Sequence, residues 1–365
     1  MKKIFSIGFI AVLLSALAVT LLLPDRAFSE MENRVLTQLP KPSLSSVASG
    51  AWMSDMEKWL ADQFPGRTFF VRAKASLNYA LGRREIGGAY IGSNGRLFER
   101  FDEGASSDQL EKNLAYLTRF AQSREGRLYF LPVYSAFTLY PEDLPAFASV
   151  PDERAILSRV ELPEGALLVD PLDALTAAKD QLIYFSTDHH WTQQGAYQAY
   201  LAFCGAAGLD PLKDLARLDS PNPFYGSLFS KAPLWGLAPD EMSLYEIPVS
   251  VRVTYDGERQ ADGLYTLSAL DKKDQYTAFL DGNHAIVDIE TDAGTGRSLI
   301  VLKDSFAHAL VPFLAGHYDR ILMVDLRYYN LPLSALLAEH PQAEVLLTYN
   351  LSWFAQDGNL FKLVR

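Results

Sequence analysis

The 365-residue chain carries 44 acidic against 33 basic residues, a net charge of −11 at neutral pH. That balance argues against a general binder of nucleic acid or anionic lipid, which needs a basic stripe. A single cysteine, Cys204, means that the fold needs no internal disulfide, and about 340 residues beyond the first apolar run are ample for one large core.

In chain order, Met1-Lys2-Lys3 precedes an uncharged, mostly apolar run over 4–23. Twenty helical residues reach about 30 Å, the thickness of a bilayer core. Lysines before the run and mixed charges after it orient the bulk of the chain outside the cytoplasm. Ala16-Leu17-Ala18 resembles a small-x-small cleavage site, so a cleaved signal peptide, giving a secreted or periplasmic protein, is the rival reading. Apolar residues continuing to Leu23 favour an uncleaved, single-pass membrane anchor with an extracytoplasmic domain.

Residues 24–88 read as a lead and an amphipathic helix packing on a main domain. Pro24, Pro40, Pro42 and a serine cluster precede a helical pattern over 52–64, with Met56, Trp59, Leu60 and Phe64 on one stripe. From residue 89 onward short apolar runs alternate with helices. Strands are expected at 89–91, 127–133, 166–169, 182–185, 299–302, 321–324 and 345–348. Helices are expected after Asp108, after the N-cap residue Thr192, and over 306–314 and 333–339. Between 243 and 298 the pattern turns to alternation, with strands at 251–255, 264–267 and 285–289. This reads as a β-rich insertion returning to the sheet. Continuous apolar strands separated by helices predict an α/β fold with a mostly parallel sheet covered on both faces. Function in such sheets gathers at the carboxyl ends of strands.

Two such ends carry chemistry. Asp188-His189-His190-Trp191-Thr192 follows the run at 182–185, and Lys303-Asp304-Ser305-Phe306 follows the run at 299–302. An acid, a base and a hydroxyl are the parts of a Ser-His-Asp hydrolase or acyltransferase, recognised by geometry rather than chain order. In an extended backbone, residues i and i+2 share a face. Asp188 would then steady His190 as general base while His189 points away. The plain alternative is that Asp188 and the histidines cap the next helix. Ser305, similarly, is either the nucleophile or an ordinary N-cap serine.

Gly282 and Asn283 are candidate oxyanion donors, a role worth about 3 kcal/mol per donor, or simply a turn. Arg327 and Tyr328 are candidate lining residues of a substrate cleft. Trp191 is a candidate platform for a sugar or a pocket wall. Asn350, Trp353 and Phe354, after the last strand, are candidates of the same kind. Asp-His-His can also ligate a divalent ion, which would make the protein a metal-dependent phosphoesterase. No further acidic ligands stand at motif spacing, so neither a metal nor another cofactor is expected.

Taken together, Asp188-His189-His190-Trp191, Lys303-Asp304-Ser305-Phe306 and Asp325-Leu326-Arg327-Tyr328-Tyr329 resemble the DHHW proteins. That family is similar to the alginate O-acetyltransferases with an SGNH-hydrolase-like domain. Phe28-Ser29-Glu30-Met31-Glu32-Asn33-Arg34 and Asp62-Gln63-Phe64-Pro65-Gly66-Arg67 extend the resemblance over nearly all of the chain beyond the anchor. It implies a three-layer α/β/α sandwich over 89–365 and a triad of Ser305, His190 and Asp188. It further implies O-acetyl transfer onto, or removal from, an exported polysaccharide of the cell envelope. A membrane-bound O-acyltransferase is the implied acyl supplier. Lys303 stands where many SGNH enzymes carry glycine. A non-catalytic polysaccharide-binding or scaffold protein on the same fold is the alternative function.

Overall fold

The computed structural model describes residues 2–101 and 107–365; Met1, part of the charged start, lies outside the described residues. The chain divides into two compact units, Met1–Gly87 with Phe229–Leu237, and Gly88–Leu228 with Ala238–Arg365.

In the first unit, helix α1 spans Lys2–Leu22; among its described side chains most of the apolar ones are exposed, while Thr20 is buried. Among the described residues, no helix is long and apolar enough to cross a membrane. Helices α2 (Ala51–Gln63) and α3 (Arg67–Ala80) follow, separated by the Pro65-Gly66 break. Trp59, from the stripe of α2, is buried, and its indole N–H donates to the Asp25 carboxylate at 2.9 Å.

The second unit is built on an eight-stranded sheet. In chain order its strands are β1 (Leu128–Val133), β2 (Ala166–Leu168), β3 (Val251–Tyr255), β4 (Arg259–Asp262), β5 (Ile286–Thr291), β6 (Ser298–Lys303), β7 (Arg320–Val324) and β8 (Glu344–Asn350). Their spatial order is β4-β3-β5-β7-β6-β8-β1-β2. Pairing from β7 through β2 is parallel, and β4, β3 and β5 form an antiparallel wing. Burial explains the division. In β1, β6 and β8 nearly every residue is buried, and neighbouring side chains point to opposite faces. The centre of the parallel half is therefore covered on both sides, which makes three layers, while the edge strand β2 is largely exposed. In β5 buried and partly exposed residues alternate at the start, as one-sided cover requires.

Covering helices include α4 (Ser107–Gln122), α5 (Gln193–Ala207), α6 (Ala307–Leu314) and α7 (Leu333–Glu339). Thr192 caps α5 by accepting the Gly195 N–H at 3.1 Å. Cys204 lies buried in α5, where burial pushes its thiol up to about 11.

Two expected strands are not strands. Residues 182–185 form only an isolated antiparallel bridge, Tyr184 to Trp191, because the chain folds straight back on itself. Residues 264–267 likewise give a single bridge, Tyr265 to Phe279, before a 3-10 turn at Leu267–Asp271. In both cases apolar residues are buried by tertiary packing without a sheet neighbour.

Candidate active site

The Tyr184–Trp191 bridge closes a tight loop over 185–190. Asp240, itself buried, accepts the N–H groups of Ser186 and Thr187, both at 2.7 Å, and the Thr187 hydroxyl at 2.6 Å. The Phe185 N–H donates to the His190 carbonyl at 3.3 Å. This framework, rather than a strand, sets the direction of Asp188 and His190. His189 accordingly does not point away: its ring centroid lies 3.8 Å from that of His190, and its Nδ1 pairs with the Ser227 hydroxyl at 2.8 Å.

Asp188 is fully engaged. Its Oδ1 accepts the His190 N–H at 3.0 Å and meets His190 Nδ1 at 2.6 Å, while Oδ2 accepts the Ser227 N–H at 2.7 Å. That last contact requires Gly226, since a Cβ there would stand 2.3 Å from the Asp188 Cβ. On its far side, His190 Nε2 lies 2.8 Å from Ser305 Oγ. Tyr276 stacks on the imidazole, centroids 3.8 Å apart and planes 6° from parallel, and its hydroxyl donates to the Ser305 carbonyl at 3.2 Å.

Ser305 occupies the turn between β6 and α6. The N-cap residue of α6 is Phe306, so Ser305 does not take the ordinary capping role, and its hydroxyl faces His190. Asp304 braces the turn: Oδ1 accepts the Phe306 N–H at 2.9 Å and Oδ2 the Asn350 N–H at 2.7 Å, joining the ends of β6 and β8. Among the described residues the Ser305 N–H has no hydrogen-bond partner.

Burial sets the electrostatics. It opposes charge on Asp188, but the His189 and His190 charges and the hydrogen bonds from His190 and Ser227 outweigh it and hold that carboxyl well below its usual range. Burial, reinforced by His189, lowers His190 to about 4 against the pull of Asp188. The pair at neutral pH is an ionised carboxylate and a neutral imidazole. Burial raises Asp304 to about 6, although two backbone N–H groups favour its anion.

Behind the turn lies a second ionic group. Lys303 is buried, with Nζ 2.7 Å from His308 Nε2 and 3.0 Å from Asp325 Oδ2. Arg327 closes on the same carboxylate, Nε to Oδ1 at 2.9 Å and Nη2 to Oδ2 at 2.6 Å. Burial and the Lys303 charge hold His308 well below the usual imidazole range.

Ser305 opens on a cavity of about 390 Å³, lined among others by Glu99, His189, Arg327, Tyr349 and Trp353. Of the sequence candidates, Asp188, His190 and Ser305 come together, and Arg327 and Trp353 line this cavity. Gly282 and Asn283 do not line it; they form a turn in which Asn283 Oδ1 accepts from Arg327 Nη2 at 3.3 Å. Tyr328 is exposed beside the Arg327 guanidinium. Trp191 is corrected as a sugar platform: it is 0% exposed, and its indole N–H donates to the Phe306 carbonyl at 2.9 Å. Asn350 caps the turn after β8 through the Trp353 N–H, and Phe354 is core.

Sequence reasoning missed Tyr276, Asp240, Gly226 and the partners of Lys303. Only Asp325 carried a signal, as the first residue of a resembling motif. Asp188, His189 and His190 offer ligand atoms within 4.8 Å of one another. This donor set fits a metal poorly, because both Asp188 oxygens and both His190 nitrogens already serve the hydrogen-bond chain.

Fold and site together define a three-layer α/β protein in which a serine, a histidine and an aspartate from distant segments come together. Residues 169–324, which hold all three side chains, match the DHHW protein family. A DHHW family protein from Eubacterium siraeum is 21% identical, with a TM-score of 0.62 over 77% of this chain and 96% of that one. Bacillus cereus PatB1, also solved with a sulfonyl adduct, is 20% identical over 74% of this chain and 97% of its own, with a TM-score of 0.61 without the adduct. The O-acetyltransferase domain of Pseudomonas putida AlgJ is more distant, at 15% identity and a TM-score of 0.46 over 76% and 99% of the two chains. Among curated proteins none matches the chain.

Proposed function

We propose that the protein is an extracytoplasmic serine acyltransferase or esterase acting on O-acetyl groups of an exported polysaccharide. The observation that carries this reading is the unbroken chain from Asp188 Oδ1 to His190 Nδ1 at 2.6 Å and from His190 Nε2 to Ser305 Oγ at 2.8 Å. His190, neutral at pH 7, takes the Ser305 proton as Oγ attacks the acetyl carbonyl. Asp188 fixes the tautomer and stabilises the imidazolium that forms. The Ser305 N–H is the nearest candidate oxyanion donor. Collapse of the tetrahedral intermediate returns the proton from His190 to the departing oxygen and leaves acetyl-Ser305. A sugar hydroxyl, or water, then takes the acetyl group by the reverse sequence. Trp353 and Arg327 suit the cavity to a polyhydroxylated chain.

The N-terminal helix α1 serves as the membrane anchor, and a membrane-bound O-acyltransferase is the proposed acyl supplier. The anchor is supported by the exposed apolar side chains of α1 between Ile4 and Leu22, which favour a non-aqueous setting. Intact-mass spectrometry after incubation with an acetyl ester donor tests the chemistry. An acetyl adduct on Ser305 that glycan discharges faster than water is the expected result for a transferase. Faster discharge by water makes it an esterase, and normal turnover by Ser305→Ala rejects the proposal.

A further inference from the structure

The net charge of −11 argues against binding to anionic lipid, but charge is distributed unevenly. Residues 67–84 hold five basic side chains, Arg67, Arg72, Lys74, Arg83 and Arg84, and no acidic one. They coincide with α3 and its exit. The helix carries a largely exposed apolar stripe. At 100° per residue, Phe69, Phe70, Ala73, Leu77, Ala80 and Leu81 share one side. Phe70, Leu77 and Leu81 are 56, 60 and 75% exposed, while Ala75 on the opposite side is buried. Trp235, half exposed, extends the stripe: its ring lies 5.5 Å from Phe69, and its backbone N–H donates to the Ser76 hydroxyl at 3.0 Å. A water-facing helix has no use for such a face.

Connectivity says what covers it. Three residues after α1 ends at Leu22, the chain is clamped to the last turns of α2. Asp25 accepts the Trp59 indole N–H, the Arg26 N–H donates to Gln63 Oε1 at 2.9 Å, and the Arg26 guanidinium donates to the Asp62 carbonyl at 2.9 Å. Three residues of chain span at most about 10 Å. From Gln63, the Pro65-Gly66 break leads directly into α3, and Arg67 is tied back to Glu32 by two bonds of 2.8 Å. If α1 sits in lipid, the start of α3 is held close to the lipid surface.

We propose that α3 and Trp235 form an interfacial membrane-binding element, with the stripe from Phe69 to Leu81 in the headgroup–acyl boundary and Lys74, Arg83 and Arg84 against anionic headgroups. The inference rests on α1 being embedded in lipid, as in the anchor reading above. An apolar face with exposed basic side chains beside it, and an aromatic belt residue at its edge, is the composition of an in-plane helix. The basic cluster adds headgroup attraction that falls with ionic strength.

Depth-dependent fluorescence quenching tests this on the full chain in phosphatidylcholine–phosphatidylglycerol vesicles. Val12→Cys, Phe70→Cys and Leu77→Cys variants carry an environment-sensitive dye at exposed sites, and buried Cys204 leaves the engineered thiol as the reactive one. The expected result is quenching of about threefold at 70 and 77 by lipids carrying nitroxides near the headgroups, as for side chains roughly 5–10 Å into the boundary, and at 12 by lipids carrying them deep in the acyl chains. The double charge reversal Arg83→Glu with Arg84→Glu should weaken the signal at 70 and 77 and leave that at 12 unchanged. Quenching at 12 alone overturns the role of α3 and leaves the anchor standing. Absence of quenching at all three positions overturns both. Labels at 70 and 77 shielded from water-soluble iodide but not reached by lipid nitroxide would mean that a second copy covers the face, which also overturns the proposal.

Discussion

Two buried ionic groups flank Ser305, and they differ in where they end. Asp188 and His190 lead outward to a hydroxyl that opens on the 390 Å³ cavity. Lys303, His308 and Asp325 form a sealed group behind the same turn, closed on its cavity side by Arg327. Both contain strongly perturbed titratable side chains, so burial alone does not mark a reacting centre. What separates them is an exit. In the first group a proton can pass from Ser305 to His190. In the second, Lys303 and Arg327 neutralise one carboxylate, and His308 is a neutral acceptor. Lys303 thus points into structure, leaving the Ser305 hydroxyl to His190.

Substitutions that strike one group and spare the other sharpen this contrast. The largest effect belongs to Asp188→Asn, which keeps the shape but loses the tautomer control; kcat should fall about 10⁴-fold, read by acetyl-ester turnover. Gly226→Ala comes next. Its Cβ would press on Asp188 at 2.3 Å and displace the relay, lowering kcat about 100-fold while the fold persists. Lys303→Met should act the other way. It removes one of the two cations paired with Asp325 and costs about 3 kcal/mol of stability in denaturant unfolding, with kcat changed less than about tenfold.

The smallest effect is a pH shift. The base must be neutral, and His190 is lowered to about 4. Activity should therefore persist below the usual imidazole range and decline as pH falls through about 4, where protonation removes the base. A decline centred near 6.5 in kcat/KM would contradict that burial-driven shift.

Much of the sheet was legible because its central parallel strands are buried on both faces and so read as unbroken apolar runs. The run at 299–302 lies inside β6, and the helix expected at 333–339 matches α7. The runs at 182–185 and 264–267 have the same composition but no strand partners, and strand pairing is a tertiary property that a local pattern does not encode. The Asp-x-His spacing was legible, but its geometry was not. The loop is held by Asp240 and Gly226, distant in sequence, so His189 stacks on its neighbour where an extended backbone would turn it away. Trp191 illustrates the converse error: an aromatic beside a reactive motif invites a ligand role, whereas its indole N–H supports the turn that follows Ser305.

Everything in this mechanism depends on His190 activating Ser305. Reaction with a serine-directed fluorophosphonate, mapped by peptide mass spectrometry, tests it most directly. Wild type should be modified on Ser305 alone, and His190→Ala, still folded, should react at least about 100-fold more slowly. Equal labelling rates in the two proteins, or modification at another serine, would contradict it.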